Sequence, residues 1–312
     1  MSKVLAIGTY SDIDKAALER DLAPVCVSGP GDIAALPEDQ RAAITAVAFM
    51  GHHPFGGAEM DLLPNIGLIA NYGVGYDAID VTAADPRNIK VTNTPEVLND
   101  DVADLAVALL IAQGRQMIAA EDWVRSGNWG AKGNFGLARK ISGGRAGIVG
   151  LGRIGRAIAD RLAAFNMDIH YTSRSEKDTP GWTYHADPVS MAEAVDYLIV
   201  ALVGGPETEN HVSKDVIAAL GPRGIIVNIS RGSTIDEAAL LDALESGAIA
   251  GAGLDVFLNE PKIDPRFLKL DNVVLQPHQG SATVETRAAM GQLQRDNVSA
   301  FLKGDALLTP VN

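Results

Sequence analysis

Apolar residues along the chain fall into two alternating patterns. Unbroken apolar runs at Val4–Ile7, Val25–Val27, Ala46–Phe49, Ile66–Ala70 and Ile89–Thr92 read as buried strands. Helical or loop segments separate them, Asp12–Arg20 being a predicted helix. Val97, the Asp101–Val102 pair, Leu105 and Leu109 recur at three- and four-residue spacing, which predicts one long helix over Pro95–Gln113. The glycine-rich stretch Trp123–Lys140, with Trp123, Trp129 and Phe135, reads as a connecting arm without a core of its own. A second run of strands follows at Ala146–Val149, Asp168–Tyr171, Tyr197–Ala201, Ile225–Asn228, Ala250–Leu254 and Val273–Leu275. Its helices are predicted at Arg153–Phe165, Pro188–Ala194, Lys214–Leu220 and Asp236–Glu245, and a last long helix at Thr283–Lys303.

Strand–helix alternation of this kind builds parallel, doubly wound sheets. The chain is therefore predicted as α/β with two such domains. One, of Rossmann type, spans 98–283 and is inserted in a flavodoxin-like domain made of 1–97 and 284–312. In such sheets the functional loops lie at the carboxyl ends of the strands.

The most informative of these loops follows the strand ending at Val149. Gly150-Leu151-Gly152-Arg153-Ile154-Gly155 is a full G-x-G-x-x-G, flanked by strand and helix as a dinucleotide fingerprint requires. Gly150 permits the tight turn, Gly152 lets the backbone approach a pyrophosphate, and Gly155 lets helix and strand pack closely. The helix N-terminus then offers free N–H groups to the phosphates. An NAD-type site places Asp or Glu about 20 residues onward, at the ribose 2′-hydroxyl. This chain has Ser173-Arg174-Ser175 there. A guanidinium takes a 2′-phosphate bidentately and the two serines add hydrogen bonds, so NADP(H) is expected. A solvated loop arginine is the other reading.

Composition narrows the partners. A net charge of −13 argues against nucleic acid or an anionic membrane, and leaves an anionic substrate to be met by individual arginines or backbone N–H groups. The chain has one cysteine, Cys26, so no disulfide framework forms within it, and its apolar neighbours read it as a core residue. Leu105–Ala112, the longest uncharged apolar run, is too short to span a bilayer. Met1–Gly8, with an apolar core of only about five residues, reads as the first strand rather than a signal peptide. A cytoplasmic protein is expected.

Five further positions carry candidate chemistry. In Asn71-Tyr72-Gly73-Val74-Gly75-Tyr76-Asp77, two glycines flank Val74 and allow turns that expose consecutive N–H groups, a way to hold a carboxylate; a plain tight turn is the alternative. His52 and His53, beside Met50 and Gly51, have no third ligand at metal spacing nearby, so no metal site is expected and a pocket-lining or exposed role remains. Arg231, Glu260 and His278 each follow the carboxyl end of a strand, where the nicotinamide end of a cofactor is expected. Hydride chemistry on a ketone needs a proton donor, for which His is suited near neutral pH. A neighbouring carboxylate favours imidazolium, and an arginine grips a 2-oxo acid. Taken singly, each is also readable as a surface residue.

Together, Gly-Leu-Gly-Arg-Ile-Gly (150–155), Asn-Ile-Ser-Arg-Gly (228–232), Gly-Leu-Asp-Val-Phe-Leu-Asn-Glu-Pro (253–261) and Pro-His-Gln-Gly-Ser-Ala-Thr (277–283) stand in order behind Asn-Tyr-Gly-Val-Gly-Tyr-Asp-Ala-Ile-Asp (71–80). With these motifs nearly the whole chain resembles the D-isomer-specific 2-hydroxyacid dehydrogenases. Residues 93–106, Ser-Arg-Ser (173–175) and Thr-Val-Glu-Thr-Arg (283–287) give a closer likeness to the NADPH-dependent glyoxylate/hydroxypyruvate and hydroxyphenylpyruvate reductases within that family. The resemblance implies that His278 is the acid/base, Glu260 its carboxylate partner and Arg231 the substrate anchor. It implies that Val74 and Gly75 hold the substrate carboxylate through their N–H groups, with Met50 and Gly51 also on the substrate side. The implied cofactor set is Gly150, Gly152, Arg153, Ile154, Gly155, Ser173, Arg174, Ser175, Val102, Asp255 and Gly280. Many members have Thr where Val102 stands, which removes a hydroxyl. The family is typically a homodimer clasped through the cofactor domain, which suits the arm around Trp129. Reduction of glyoxylate or hydroxypyruvate to the D-2-hydroxy acid is the favoured expectation. An aryl pyruvate lined by Met50, His52, Phe55 and Trp129 is the alternative, and a dinucleotide-sensing interaction protein on the same fold is a reading of another class.

Overall fold

Val4–Ile7 lacks any polar alternation, and in the computed structural model, which describes residues 2–312, it forms β1 with all four residues buried. β2 (Val25–Val27), β3 (Ala46–Phe49), β4 (Leu68–Asn71) and β5 (Lys90–Thr92) complete a sheet in the order β2-β1-β3-β4-β5, every pair parallel. That is the flavodoxin-like order. Ser11 starts the helix Asp12–Leu22 by accepting the Asp14 N–H at 3.1 Å on its Oγ. β2 is an edge strand, and this corrects one expectation: Cys26 is exposed, because an edge residue has a neighbour on one side only.

The helix Val284–Lys303 belongs to this first unit, which comprises Met1–Leu98 and Ala282–Asn312. The Gln294 amide donates to Phe49 O at 3.1 Å and Ala70 O at 2.8 Å, tying the ends of β3 and β4 to the helix. The Val311 N–H donates to Val91 O at 2.8 Å, so the last residues also lie along β5.

The second unit, Asn99–Ser281, holds β6 (Arg145–Val149), β7 (Asp168–Thr172), β8 (Thr183–His185), β9 (Tyr197–Val200), β10 (Ile225–Asn228), β11 (Gly251–Leu254) and β12 (Val273–Leu275). They form one parallel sheet in the order β12-β11-β10-β9-β6-β7-β8. Read from β8, this is the Rossmann order with a seventh strand added, and its switch point lies between β6 and β9. β8 was not expected; three residues with a polar first position give too short a pattern to register.

The long helix is Asn99–Gly114 and begins at Asn99 rather than Pro95, because Glu96 takes a left-handed φ of 70°. Its small and apolar residues bury Val102, Ala103, Ala106, Val107, Leu109 and Leu110 against β10, β11 and the helix Arg153–Ala164. The helix Met117–Arg125 leads into the stretch read as a connecting arm, which itself holds the helix Asn128–Lys132, and neither helix buries a residue. Ile118, Trp129 and Leu137 there are exposed. Among the described residues no single helix is long and apolar enough to cross a membrane.

Candidate active site and cofactor cradle

At the switch point the backbone turns as the fingerprint requires. Gly150 has φ +98°, and a Cβ there would lie 2.8 Å from Ala201 O. A Cβ on Gly155 would lie 2.1 Å from Gly150 O, so the helix start can close on the turn only with glycine. Around Gly152 an added Cβ meets nothing within 4 Å. Gly152 also caps the helix without a side chain, which leaves the first-turn N–H groups to an outside acceptor. Arg153 and Ile154 are the first two residues of that helix. This cradle fits the pyrophosphate of a nicotinamide dinucleotide. Ser173, Arg174 and Ser175 follow β7, with Arg174 and Ser175 exposed and the Ser173 hydroxyl turned to Ser175 O.

Past β11 the chain gathers the charged groups. Asp255 is 1% exposed, and its oxygens accept the N–H of Gln279 at 2.6 Å and of Gly280 at 2.8 Å. Burial pushes its carboxyl up; those two N–H donors and the nearby His278 pull it back down. A Cβ on Gly280 would lie 3.1 Å from Asp255 Oδ2 and 3.3 Å from Val102 Cγ2, so these three residues pack as one group.

His278 sits in the left-handed region at φ +56°, its N–H donating to Asp255 O at 2.9 Å. Its Nδ1 lies 2.7 Å from Glu260 Oε2, and the other carboxylate oxygen accepts the Phe257 N–H at 2.8 Å. Glu260 is thus held at both oxygens, and Nε2 is the ring atom turned away from the pair.

Arg231 lies on the loop after β10. Its carbonyl accepts from the Asn228 amide at 2.9 Å and the Thr234 hydroxyl at 2.7 Å, and its guanidinium Nη1 donates to Ser230 O at 2.8 Å. A Cβ on Gly232 would lie 2.0 Å from Phe257 C, so the Arg231 loop is pressed onto the turn that leads to Glu260. Sequence reasoning missed three residues that build this arrangement. Asn228 and Thr234 are buried and shape the Arg231 loop. Glu237 accepts the Leu258 N–H at 2.8 Å; burial pushes its carboxyl up, and that bond pulls it back. No side-chain pattern signals them, since Asn228 and Thr234 act on the backbone carbonyl of Arg231 and Glu237 on the backbone of a segment distant in sequence.

In the first unit, the loop after β4 has its carbonyls turned inward. Gly73 O accepts from the Asn71 amide at 3.0 Å and from Thr94 N–H at 3.0 Å. Val74 O accepts from the Asn93 amide at 3.0 Å, and Gly75 O from Asn71 at 2.8 Å. In a trans peptide C=O and N–H point oppositely, so the N–H groups of Val74 and Gly75 face outward. Met50 and Gly51 follow β3, Met50 partly buried and Gly51 exposed at φ +147°; His52 and His53 are exposed.

Residues 107–280 match the family model for the D-isomer specific 2-hydroxyacid dehydrogenase NAD binding domain. The chain is 46% identical over 252 residues to hydroxyphenylpyruvate reductase of Plectranthus scutellarioides, covering 81% of this chain and 80% of that one. It is equally 46% identical over 252 residues to 2-ketogluconate reductase of Gluconobacter oxydans, covering 81% of each. Its structure is similar to the NADPH-dependent glyoxylate/hydroxypyruvate reductase of Sinorhizobium meliloti solved with NADP and malonate, with a TM-score of 0.93, 44% identity and coverage of 99% and 96%. The chain therefore belongs to the D-isomer specific 2-hydroxyacid dehydrogenases, oxidoreductases that act on 2-hydroxy acids with a nicotinamide dinucleotide.

Proposed function

We propose that this protein reduces a small 2-oxo acid, glyoxylate or hydroxypyruvate, to the D-2-hydroxy acid at the expense of NADPH. The observation that carries the proposal is the 2.7 Å contact between His278 Nδ1 and Glu260 Oε2. A bound reduced nicotinamide supplies the hydride. The residues of the chain do the rest. Glu260 holds the imidazole by Nδ1 and fixes its orientation, so that Nε2 delivers a proton to the oxygen of the reduced ketone. Arg231 grips the carboxylate and polarises the ketone. The outward N–H groups of Val74 and Gly75 take the carboxylate as well, with Met50 and Gly51 on the substrate side. Gly150, Gly152, Arg153, Ile154 and Gly155 receive the pyrophosphate, and Asp255, Gly280 and Val102 surround the nicotinamide. Val102 contributes shape alone.

Ser173, Arg174 and Ser175 supply the NADPH preference, because no carboxylate stands there to repel a 2′-phosphate. On this reading 98–283 is the NADP-binding domain, and 1–97 with 284–312 is the substrate domain. The exposed apolar residues Ile118, Trp129 and Leu137 support a homodimer clasped through the arm. A cytoplasmic location accords with a chain of one cysteine.

The plant relative's name favours a second reading, an aryl pyruvate as substrate. NADPH oxidation measured across glyoxylate, hydroxypyruvate, pyruvate, phenylpyruvate, 4-hydroxyphenylpyruvate and 2-ketogluconate tests both. The first two should give the highest kcat/KM; a higher value for an aryl pyruvate overturns the small-acid assignment.

A further inference from the structure

Arg174 is exposed, so the hold it has on a phosphate depends on how firmly its loop is fixed. Two anchors fix that loop. The buried Tyr171 hydroxyl donates to Lys177 O at 3.1 Å and accepts the Lys177 N–H at 2.9 Å. Farther along, Arg156 Nη1 donates to Asp178 O at 3.0 Å, and its guanidinium carbon lies 4.6 Å over the ring of Trp182. The Trp182 backbone N–H donates to Thr179 Oγ1 at 3.2 Å, closing the end of the loop.

Arg156 comes directly after Gly155, within the first turns of the fingerprint helix. One rigid element thus presents its N-terminus to the pyrophosphate and also braces the loop bearing Arg174. We propose that Arg156 and Trp182 are positioning residues for the 2′-phosphate of the dinucleotide, and that their stacked pair is part of what selects NADPH over NADH. The inference rests on the NADPH reading of Arg174. Arg156 and Trp182 are both only partly buried, and β7 and β8 pair through their own backbones. Loss of the stack should therefore loosen the loop and spare the sheet. A cation–π pair also restricts its two partners in direction and distance, which a contact between aliphatic chains does not.

The test is calorimetric titration of the full chain with 2′,5′-ADP and, separately, with 5′-ADP. Trp182→Ala and Arg156→Gln should each weaken 2′,5′-ADP by about 3- to 10-fold and leave 5′-ADP unchanged. Trp182→Phe should retain the wild-type affinity, because a ring face remains. In steady state the same two variants should raise KM for NADPH and leave kcat unchanged. Equal weakening of both nucleotides, or none, overturns the inference. Arg174→Ala in parallel separates the two readings. If it does not weaken 2′,5′-ADP selectively, the NADPH reading falls and the brace falls with it. If it does while Trp182→Ala and Arg156→Gln do not, the brace alone falls.

Discussion

His278 and Glu260 meet at 2.7 Å between Nδ1 and Oε2, although 17 residues, including the whole of β12, separate them in the chain. The contact orients the imidazole, because the Phe257 N–H holds the second carboxylate oxygen and the turn cannot swing. General acid catalysis is worth ~10²–10⁴-fold, so His278→Ala should lower kcat by that order with NADPH affinity retained. Glu260→Gln keeps a hydrogen-bond acceptor and loses the charge. A charge-assisted bond of about 1.5–3 kcal/mol converts to a loss of ~10- to 100-fold in kcat. Stopped-flow single turnovers with each variant check both numbers.

Arg231→Ala removes an anchor that acts in the ground state and on the developing oxyanion. Both KM and kcat should suffer, with kcat/KM falling by ~10- to 100-fold for the loss of one charge-assisted contact. Arg231→Lys should recover only part, since an ammonium cannot reproduce the fork of a guanidinium. Steady-state kinetics at saturating NADPH separate the two constants.

The fingerprint glycines should divide by mechanism. Gly155→Ala would force a Cβ to 2.1 Å from Gly150 O and should destabilise the fold by ~1–3 kcal/mol, read from the denaturant midpoint. Gly152→Ala places its methyl where nothing lies within 4 Å, at an ordinary φ of −87°. It should leave the midpoint unchanged and weaken dinucleotide binding, because the methyl occupies the approach of the pyrophosphate.

A pair of histidines on β7 and β8 predicts a pH effect on stability. His170 Nδ1 lies 2.9 Å from His185 Nε2, with Asp168 at the other side of His170 and Asp187 near His185. Burial pushes the His185 imidazole below its ordinary 6.5, the His170 ring adds to that, and Asp187 opposes it. The unfolded chain therefore binds more protons than the folded one in the window just below 6.5. Stability is full above that value and is lost as the pH falls through the window. The melting temperature of the wild type should drop more steeply than that of His185→Gln between about pH 7 and pH 5.

Most of the strand-by-strand architecture was legible because most strands are unbroken apolar runs, and the His278–Glu260 pair was legible because each residue stands in a distinctive local motif. β8 escaped notice because its three residues are neither long nor consistently apolar. Cys26 was misplaced because an apolar run does not reveal whether a strand is central or at an edge. Asn228, Thr234 and Glu237 escaped because their partners are backbone groups, which leave no side-chain pattern, and that of Glu237 lies 21 residues away. The grouping of Asp255, Gly280 and Val102 is likewise a product of packing between β11, its following loop and the long helix.

The decisive experiment follows NADPH oxidation by wild type and His278→Ala with glyoxylate and hydroxypyruvate, with NADPH affinity measured on both proteins. The expected result is turnover by the wild type, a fall in kcat of ~10²-fold or more in the variant, and equal NADPH affinity. Wild-type turnover retained in His278→Ala, or no oxidation of NADPH with any 2-oxo acid, would refute the proposed chemistry.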